Sequence, residues 1–281
     1  IKDKKYNHTK ISKRYKNFNL PNTKIINLNL EKMKNKFISD ITFKTIDFYL
    51  NKGEQVLFFL NRRGYAPFLI CKKCKYRHTC SKCSIYLTYH KNKNKLICHH
   101  CGEIISTLKI CNKDKKYCEY HMYGPGVEKI YEELKIKYPN KNIKIFSSDY
   151  LADKNKNTLE DIENNKVDII VGTQMISKGF NFEKLNCIVV VDADFSGRGY
   201  DLRTTEKNIQ LYNQLSGRAG RFSSESLIIY QTLSPTNDTL KDIIINNPEK
   251  FLEDEIVIRR ENHLPPFCRF IAIIISSPNK N

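Results

Sequence analysis

The chain has 281 residues, and its 48 Lys and Arg against 30 Asp and Glu give a formal net charge of +18. That length accommodates about two domains and a real core. No apolar run approaches the ~18 residues of a membrane span, and the opening Ile1-Lys2-Asp3-Lys4-Lys5 has no signal-peptide pattern, so the sequence offers nothing to a membrane or export reading. The positive charge favours a polyanion partner through counterion release, yet Lys, Asn and Ile abound everywhere, as an AT-rich coding sequence also produces, so charge alone decides nothing. The chain does not begin with Met, and it is expected to be part of a longer polypeptide.

Residues 1–20 are basic and irregular and read as a linker. A helix is expected over Phe37–Leu50, ending at the Lys52-Gly53 turn. Gln55–Leu60 is a short apolar run of the kind a parallel sheet buries on both faces. The polar turn Asn61-Arg62-Arg63-Gly64 follows, and then a cysteine-rich module at 71–121. Beyond it helices and strands alternate. Helices are expected over Val127–Tyr138, Lys156–Asn164 and Thr204–Ser216; strands are expected over Ile143–Phe146, Val167–Val171, Ile188–Val191 and Leu227–Gln231. This alternation predicts an α/β fold, a parallel sheet with helices on both faces. The cysteine module is then an insertion that divides one domain into 21–70 and 122–235. Past Pro235, residues 236–281 hold a helical segment and a strand over Phe270–Ser276.

Eight of the ten cysteines lie between Cys71 and Cys118. The pairs Cys71-Cys74, Cys80-Cys83 and Cys98-Cys101 are CxxC turns, followed by Cys111 and Cys118. One such turn offers two thiolates, and two turns complete the tetrahedron that zinc prefers. In a reducing compartment this pattern predicts metal binding rather than disulfides. Three pairs and two further cysteines predict two Zn2+ ions. Cys80, Cys83, Cys98 and Cys101 form a natural inner site. Cys71, Cys74 and Cys111 are left for an outer one, whose fourth ligand is either Asp114, standing where a CxxC would place a cysteine, or Cys118. Cys187 and Cys268 stand alone in apolar surroundings and are expected in the core.

Two further motifs carry chemistry. Gly172-Thr173-Gln174, with Lys178 and Gly179 after it, follows an expected strand and opens a polar turn. Backbone N–H groups exposed there favour a phosphate oxygen. Gln214-Leu215-Ser216-Gly217-Arg218-Ala219-Gly220-Arg221 ends a helix and offers two arginines three residues apart. Guanidinium groups fork onto phosphate oxygens and can raise phosphoryl-transfer rates by about 10³–10⁵. No GxxxxGK[ST] phosphate loop and no acidic DExH-like magnesium motif occur in the sequence.

In this order and spacing the two motifs resemble motifs V and VI of superfamily 2 helicases. Phe59-Leu60-Asn61-Arg62-Arg63-Gly64-Tyr65-Ala66 before Cys71, Cys98-His99-His100-Cys101-Gly102, Gly124-Pro125-Gly126-Val127-Glu128, Asp201-Leu202-Arg203 with Glu206, and Leu264-Pro265-Pro266-Phe267 narrow the resemblance to the primosomal protein N′ (PriA) family. The resemblance implies a RecA-like second helicase lobe, an inserted zinc module and the start of an α+β C-terminal domain. It implies an ATP-dependent 3′→5′ DNA helicase that restarts stalled replication forks and assembles the primosome, a monomer of the bacterial cytoplasm associated with the nucleoid. The implied partners are forked or D-loop DNA, single-stranded DNA, other primosome proteins and single-strand DNA-binding protein, with no membrane. The implied cofactors are zinc and ATP with Mg2+, the Mg2+ held by a first lobe that is expected to lie outside this chain. Arg218, Arg221 and Gln214 would face the ATP, while Gly172, Thr173, Gln174, Lys178 and Gly179 would lie near nucleotide and DNA backbone. Such a chain is expected to be inactive as an ATPase by itself. The rival reading is a zinc-stabilised nucleic-acid-binding module with vestigial motor residues. It draws on two departures from the family pattern, Asp114 and the glycine-rich Phe195-Ser196-Gly197-Arg198-Gly199-Tyr200.

Overall fold

The computed structural model describes residues 9, 20–31, 37–60, 68–71, 78–82, 87–90, 94–98, 102–106, 119–123, 126–147, 157–177, 182–194, 203–219, 225–236, 240–241, 248–269 and 271. Among them the strands in chain order are β1 (Asn22–Asn27), β2 (Gln55–Phe59), β3 (Phe68–Cys71), β4 (Thr88–His90), β5 (Lys95–Ile97), β6 (Ile104–Ser106), β7 (Tyr120–Tyr123), β8 (Ile143–Phe146), β9 (Ile169–Gly172), β10 (Leu185–Val190) and β11 (Leu227–Thr232). The helices are α1 (Asp40–Asn51), α2 (Val127–Lys137), α3 (Asn157–Glu163), α4 (Thr204–Ser216) and α5 (Pro248–Glu261).

Six strands pair in the order β1-β11-β10-β2-β9-β8, and every pairing is parallel. Parallel strands must be covered on both faces, which is why β2 is buried along its whole length. Side chains alternate across it. Leu57 and Phe59 face a cluster with Ile170, Ile188, Val190, Ile228 and Tyr230, capped by Ile162 of α3 and by Ile209, Leu211, Tyr212 and Leu215 of α4. Val56 and Phe58 face the opposite cluster, with Ile169, Val171, Cys187 and Val189, closed by Phe43, Ile46 and Leu50 of α1 and by Val127, Ile130 and Leu134 of α2. The α/β architecture expected from the sequence is therefore present.

A register shift between Leu185 and Cys187 inserts Asn186 opposite the Gln55–Val56 step of β2. One extra residue reverses the alternation. Leu185 accordingly faces the α4 side, while Cys187, two residues on, faces α1 and α2.

The ends of α1 follow local chemistry. Ser39 accepts from the Thr42 N–H at 3.0 Å as N-cap. At the other end Gly53 has φ +70°, with Gly53 N donating to Leu50 O at 3.2 Å and Glu54 N to Tyr49 O at 3.0 Å. This left-handed glycine closure stops the helix and turns the chain into β2. The start of α1 is tied to the sheet by Gln231 of β11. Its Oε1 accepts from Ser39 N at 2.9 Å and Thr42 Oγ1 at 2.7 Å, and its Nε2 donates to Phe37 O at 2.9 Å and Val191 O at 3.2 Å. A fully buried amide with four bonds is satisfied, so its polarity costs little and its geometry fixes three segments at once.

Three points differ from, or lie beyond, the sequence reading. Strand β1 was not expected, because only Ile26 of it is buried and its first three residues are exposed, as befits an edge strand. Cys268 is a correction: it is half-exposed rather than part of the core, and its thiol donates to His263 O at 2.7 Å. The strand anticipated over Phe270–Ser276 lies outside the described residues apart from the exposed Ile271.

Within the cysteine-rich stretch, β3 and β7 pair antiparallel, Cys71 opposite Tyr120. Strands β4, β5 and β6 form a separate three-stranded antiparallel sheet.

Candidate ATP-facing site and metal module

The carboxyl end of β9 positions the first motif. Gly172 O accepts from Leu60 N at 2.9 Å, and Thr173 N donates to Phe146 O at 3.4 Å. A Cβ at Gly172 would lie 3.0 Å from Ile176 Cδ1 and 3.3 Å from Phe146 O, so close backbone approach is what calls for glycine here. Thr173 O then accepts from Ile176 N at 3.0 Å, beginning a 3-10 turn over Gln174–Ser177. Thr173 is buried and Gln174 exposed. Lys178 and Gly179 lie outside the described residues.

The second motif ends α4. This helix is pinned through Tyr212, whose ring stands edge-on to Phe59 at 6.5 Å and to Tyr230 at 5.6 Å between centroids. Leu215 and Ala219 are fully buried, Gln214 is exposed and Arg218 is half-buried. Past the last helical turn, Gly217 N donates to Asn213 O at 3.0 Å, and Arg218 N donates to Leu215 O at 2.9 Å. The backbone that carries Arg218 is thus held against the helix end. Arg221 lies outside the described residues. The 3-10 turn packs directly on α4, with Ile176, Leu215 and Ala219 in one buried cluster. Two motifs some forty residues apart in sequence are therefore brought together on one face of the sheet.

Sequence reasoning missed a carboxylate at the ends of β10 and β11. Asp194 accepts from Leu233 N at 2.7 Å and Ser234 N at 3.1 Å, and from the hydroxyl of Thr232. Asp192 accepts from Asp194 N at 3.2 Å. The acidic pair at 192 and 194 just after an apolar strand was the available signal, since a carboxylate there can take over the carbonyl-side bonds that a strand end leaves open.

Of the expected metal ligands, Cys71, Cys80 and Cys98 lie among the described residues; Cys74, Cys83, Cys101, Cys111, Asp114 and Cys118 do not. Among the described residues alone no group of three or more metal-ligating side chains is gathered. Cys80 and Cys98 nevertheless share one buried cluster with Leu87 and Leu96. Gly102, at φ +78°, donates to Cys98 O at 2.9 Å, and Cys98 N donates to Glu103 O at 2.9 Å. Cys80 and Cys98, buried side by side, have the chemistry of ligands for a soft metal such as zinc. Glu103 was not foreseen. It accepts from the Cys80 thiol at 2.7 Å, Ser81 Oγ at 2.8 Å and Ser81 N at 3.2 Å.

Comparison with known proteins agrees with this layout. Residues 103–223 match the helicase conserved C-terminal domain, and residues 80–104 match the PriA DNA helicase Cys-rich region (CRR) domain. The Replication restart protein PriA of Rickettsia conorii is 38% identical over 98% of this chain and 43% of its own length. That of Haemophilus influenzae is 34% identical over 98% of this chain and 37% of its length. The chain thus spans less than half the length of these relatives. The solved structure of S. cerevisiae Dbp5 L327V bound to RNA and ADP BeF3 aligns with a TM-score of 0.43 at 11% identity, over 86% of this chain and 45% of that one, too loosely to bear on either fold or function.

A parallel α/β sheet with helices on both faces, whose residues 103–223 match the helicase conserved C-terminal domain, is the C-terminal lobe of a helicase. The cysteine-rich sheet inserted between β2 and α2 narrows that class. The chain belongs to the PriA family of replication restart proteins.

Proposed function

We propose that this chain supplies the second motor lobe and zinc module of an ATP-dependent 3′→5′ DNA helicase that restarts stalled forks and assembles the primosome. The observation that carries the reading is the packing of the Gln174–Ser177 turn on the helix that ends at Gly217-Arg218. In a two-lobe motor, one lobe cradles the triphosphate and its Mg2+, and the other delivers arginines to the charge that develops on the transferred phosphoryl group. Arg218 and Arg221 have the chemistry for that delivery, with Gln214 on the exposed side of the same helix turn. Gly172, Thr173, Gln174, Lys178 and Gly179 would serve nucleotide and DNA backbone through N–H groups at a strand end.

The cysteines would hold two Zn2+ ions. Cys80, Cys83, Cys98 and Cys101 would hold the inner ion; Cys71, Cys74 and Cys111, with Asp114 or Cys118, would hold the outer one. Zinc held there would cross-link the module, and the chain's own part is to present deprotonated sulfur. The division at 71–121 and 236–281, action as a monomer in the bacterial cytoplasm, and partnership with forked and single-stranded DNA, single-strand DNA-binding protein and other primosome proteins belong to the same proposal. The relatives' printed name and the helicase match support it over a vestigial binding module.

A direct ATPase assay tests it. The 281-residue polypeptide should not turn over ATP with forked DNA, because its sequence holds no phosphate loop. The natural full-length protein should do so and should unwind the fork. Robust turnover by this polypeptide alone would overturn the assignment.

A further inference from the structure

Among the described residues Arg259 is a charge with several partners outside the two motifs. It stands near the end of α5, with its side chain only 14% exposed. Its Nε donates to Glu255 Oε1 at 2.9 Å, one turn earlier, and its Nη1 donates to Pro265 O at 3.4 Å. Its Nη2 lies 3.6 Å from Oε2 of Glu206, in the first turn of α4. The other oxygen of Glu206 accepts from Gln210 Nε2 at 3.2 Å, so both of its oxygens are engaged. One guanidinium thereby joins three pieces: the motor helix α4, helix α5 and the turn after it. That turn is itself closed, with Leu264 N donating to Arg259 O at 2.8 Å and the Arg260 guanidinium 5.0 Å from the Phe267 ring. Below the ion pair, Phe251 of α5 is buried in the same cluster as Ile209, Tyr212 and Leu215 of α4.

From this arrangement we infer that Glu206 and Arg259 are positioning residues for the arginines of motif VI. The inference rests on the motor reading above. Helix α4 starts at this pin and ends, about 18 Å further along its axis, in the backbone that carries Arg218. Its middle is held by hydrophobic packing, which is non-directional and tolerates small rotations. Its first turn faces, through Glu206, a guanidinium 3.6 Å away that is itself oriented by its bonds to Glu255 Oε1 and Pro265 O. Fixing the first turn fixes the tilt of the helix and with it the place where its last turn delivers a guanidinium. A misplacement of the order of 1 Å at a reacting phosphate costs about 100-fold in rate, so a device that fixes tilt is worth more to catalysis than to stability. Because the same arginine grips α5 and the Pro265 turn, the segment that follows the lobe is mechanically tied to the catalytic helix.

The test uses the natural full-length protein and compares wild type with Glu206→Gln, Arg259→Gln, the double variant and Arg259→Lys. The first readout is hydrogen exchange of the α4 amides, which does not depend on ATP turnover. Each single glutamine variant should speed exchange over residues 213–219 by about fivefold to tenfold, and the double variant should be no faster than either single. The second readout is DNA-stimulated ATPase. The singles should lose about tenfold in kcat with KM for ATP kept within about twofold, the signature of an interaction needed only in the transition state. Arg259→Lys should recover part of kcat. Unchanged exchange, additive effects in the double variant, or altered exchange with an unchanged kcat would each overturn the pin. Absence of ATPase in the wild-type protein would instead sink the motor reading, and the exchange measurements would still decide whether the pair fixes α4.

Discussion

One missing side chain, at Gly172, and one carboxyl, at Glu54, show how finely single positions are set. At Gly172 the space for a Cβ is bounded by Ile176 Cδ1 at 3.0 Å and by the Phe146 carbonyl at 3.3 Å. The isoleucine can shift, but the carbonyl belongs to the neighbouring strand. Gly172→Ala should therefore destabilise the lobe by about 1–3 kcal/mol, read as a lower urea midpoint at unchanged slope. Glu54 stands at the amino end of β2 with Oε2 buried and without a hydrogen-bond partner. Burial raises its pKa, against smaller opposing effects from Asn186 and Lys52. A carboxyl whose folded pKa is raised binds more protons folded than unfolded, so its contribution is full below the unfolded value and is lost as pH rises through the folded one. Glu54→Gln should then leave the protein at least as stable at pH 7, and should flatten the decline of stability above about pH 4.5. A steeper decline in the variant would show that ionised Glu54 helps the fold.

At the scale of elements, period and punctuation account for the parts that were legible in sequence. α2, α3 and α4 fall within a residue or two of expectation, as do β2, β8, β9 and β11, because apolar runs and punctuating residues such as Gly126 are local signals; α1 ends as expected at the Gly53 turn but starts three residues later than Phe37, where Ser39 caps it. β10 begins three residues earlier than expected because Asn186 interrupts its apolar run and is absorbed by a bulge. β1 was missed because an edge strand with one buried residue carries no such run. The short strands β3 to β7 were hidden because cysteine spacing, not hydrophobic alternation, organises that stretch. There the cluster around Cys80, Cys98, Leu87 and Leu96 is too small to stand as a core by itself. Replacing Cys98 by serine should release one zinc of two and unfold this module locally while the main sheet persists. Elemental analysis of the purified variant and its far-ultraviolet dichroism check both halves; retention of both ions would move Cys98 out of the ligand set.

For the whole molecule, the decisive experiment falls on the arginine beyond the described end of α4. In the full-length protein, Arg221→Ala should abolish DNA-stimulated ATP hydrolysis, a loss of about 10³-fold or more, while DNA affinity stays within a few-fold. Equal loss of both would mean that the residue holds nucleic acid rather than nucleotide. The sequence by itself determined the class of fold, the metal-binding character of the module and the family. Each of these is written in local currency: strand-length apolar runs, CxxC turns, and motifs read over fewer than ten residues. The tertiary structure decided what lies next to what. Sheet order places β9 and β10 on either side of β2, the bulge at Asn186 sets which face Leu185 serves, and Gln231 binds three segments at once. The Glu206–Arg259 pair joins residues 53 positions apart. Contacts of that span depend on how the whole chain packs, and no window of sequence short enough to read as a motif contains both partners.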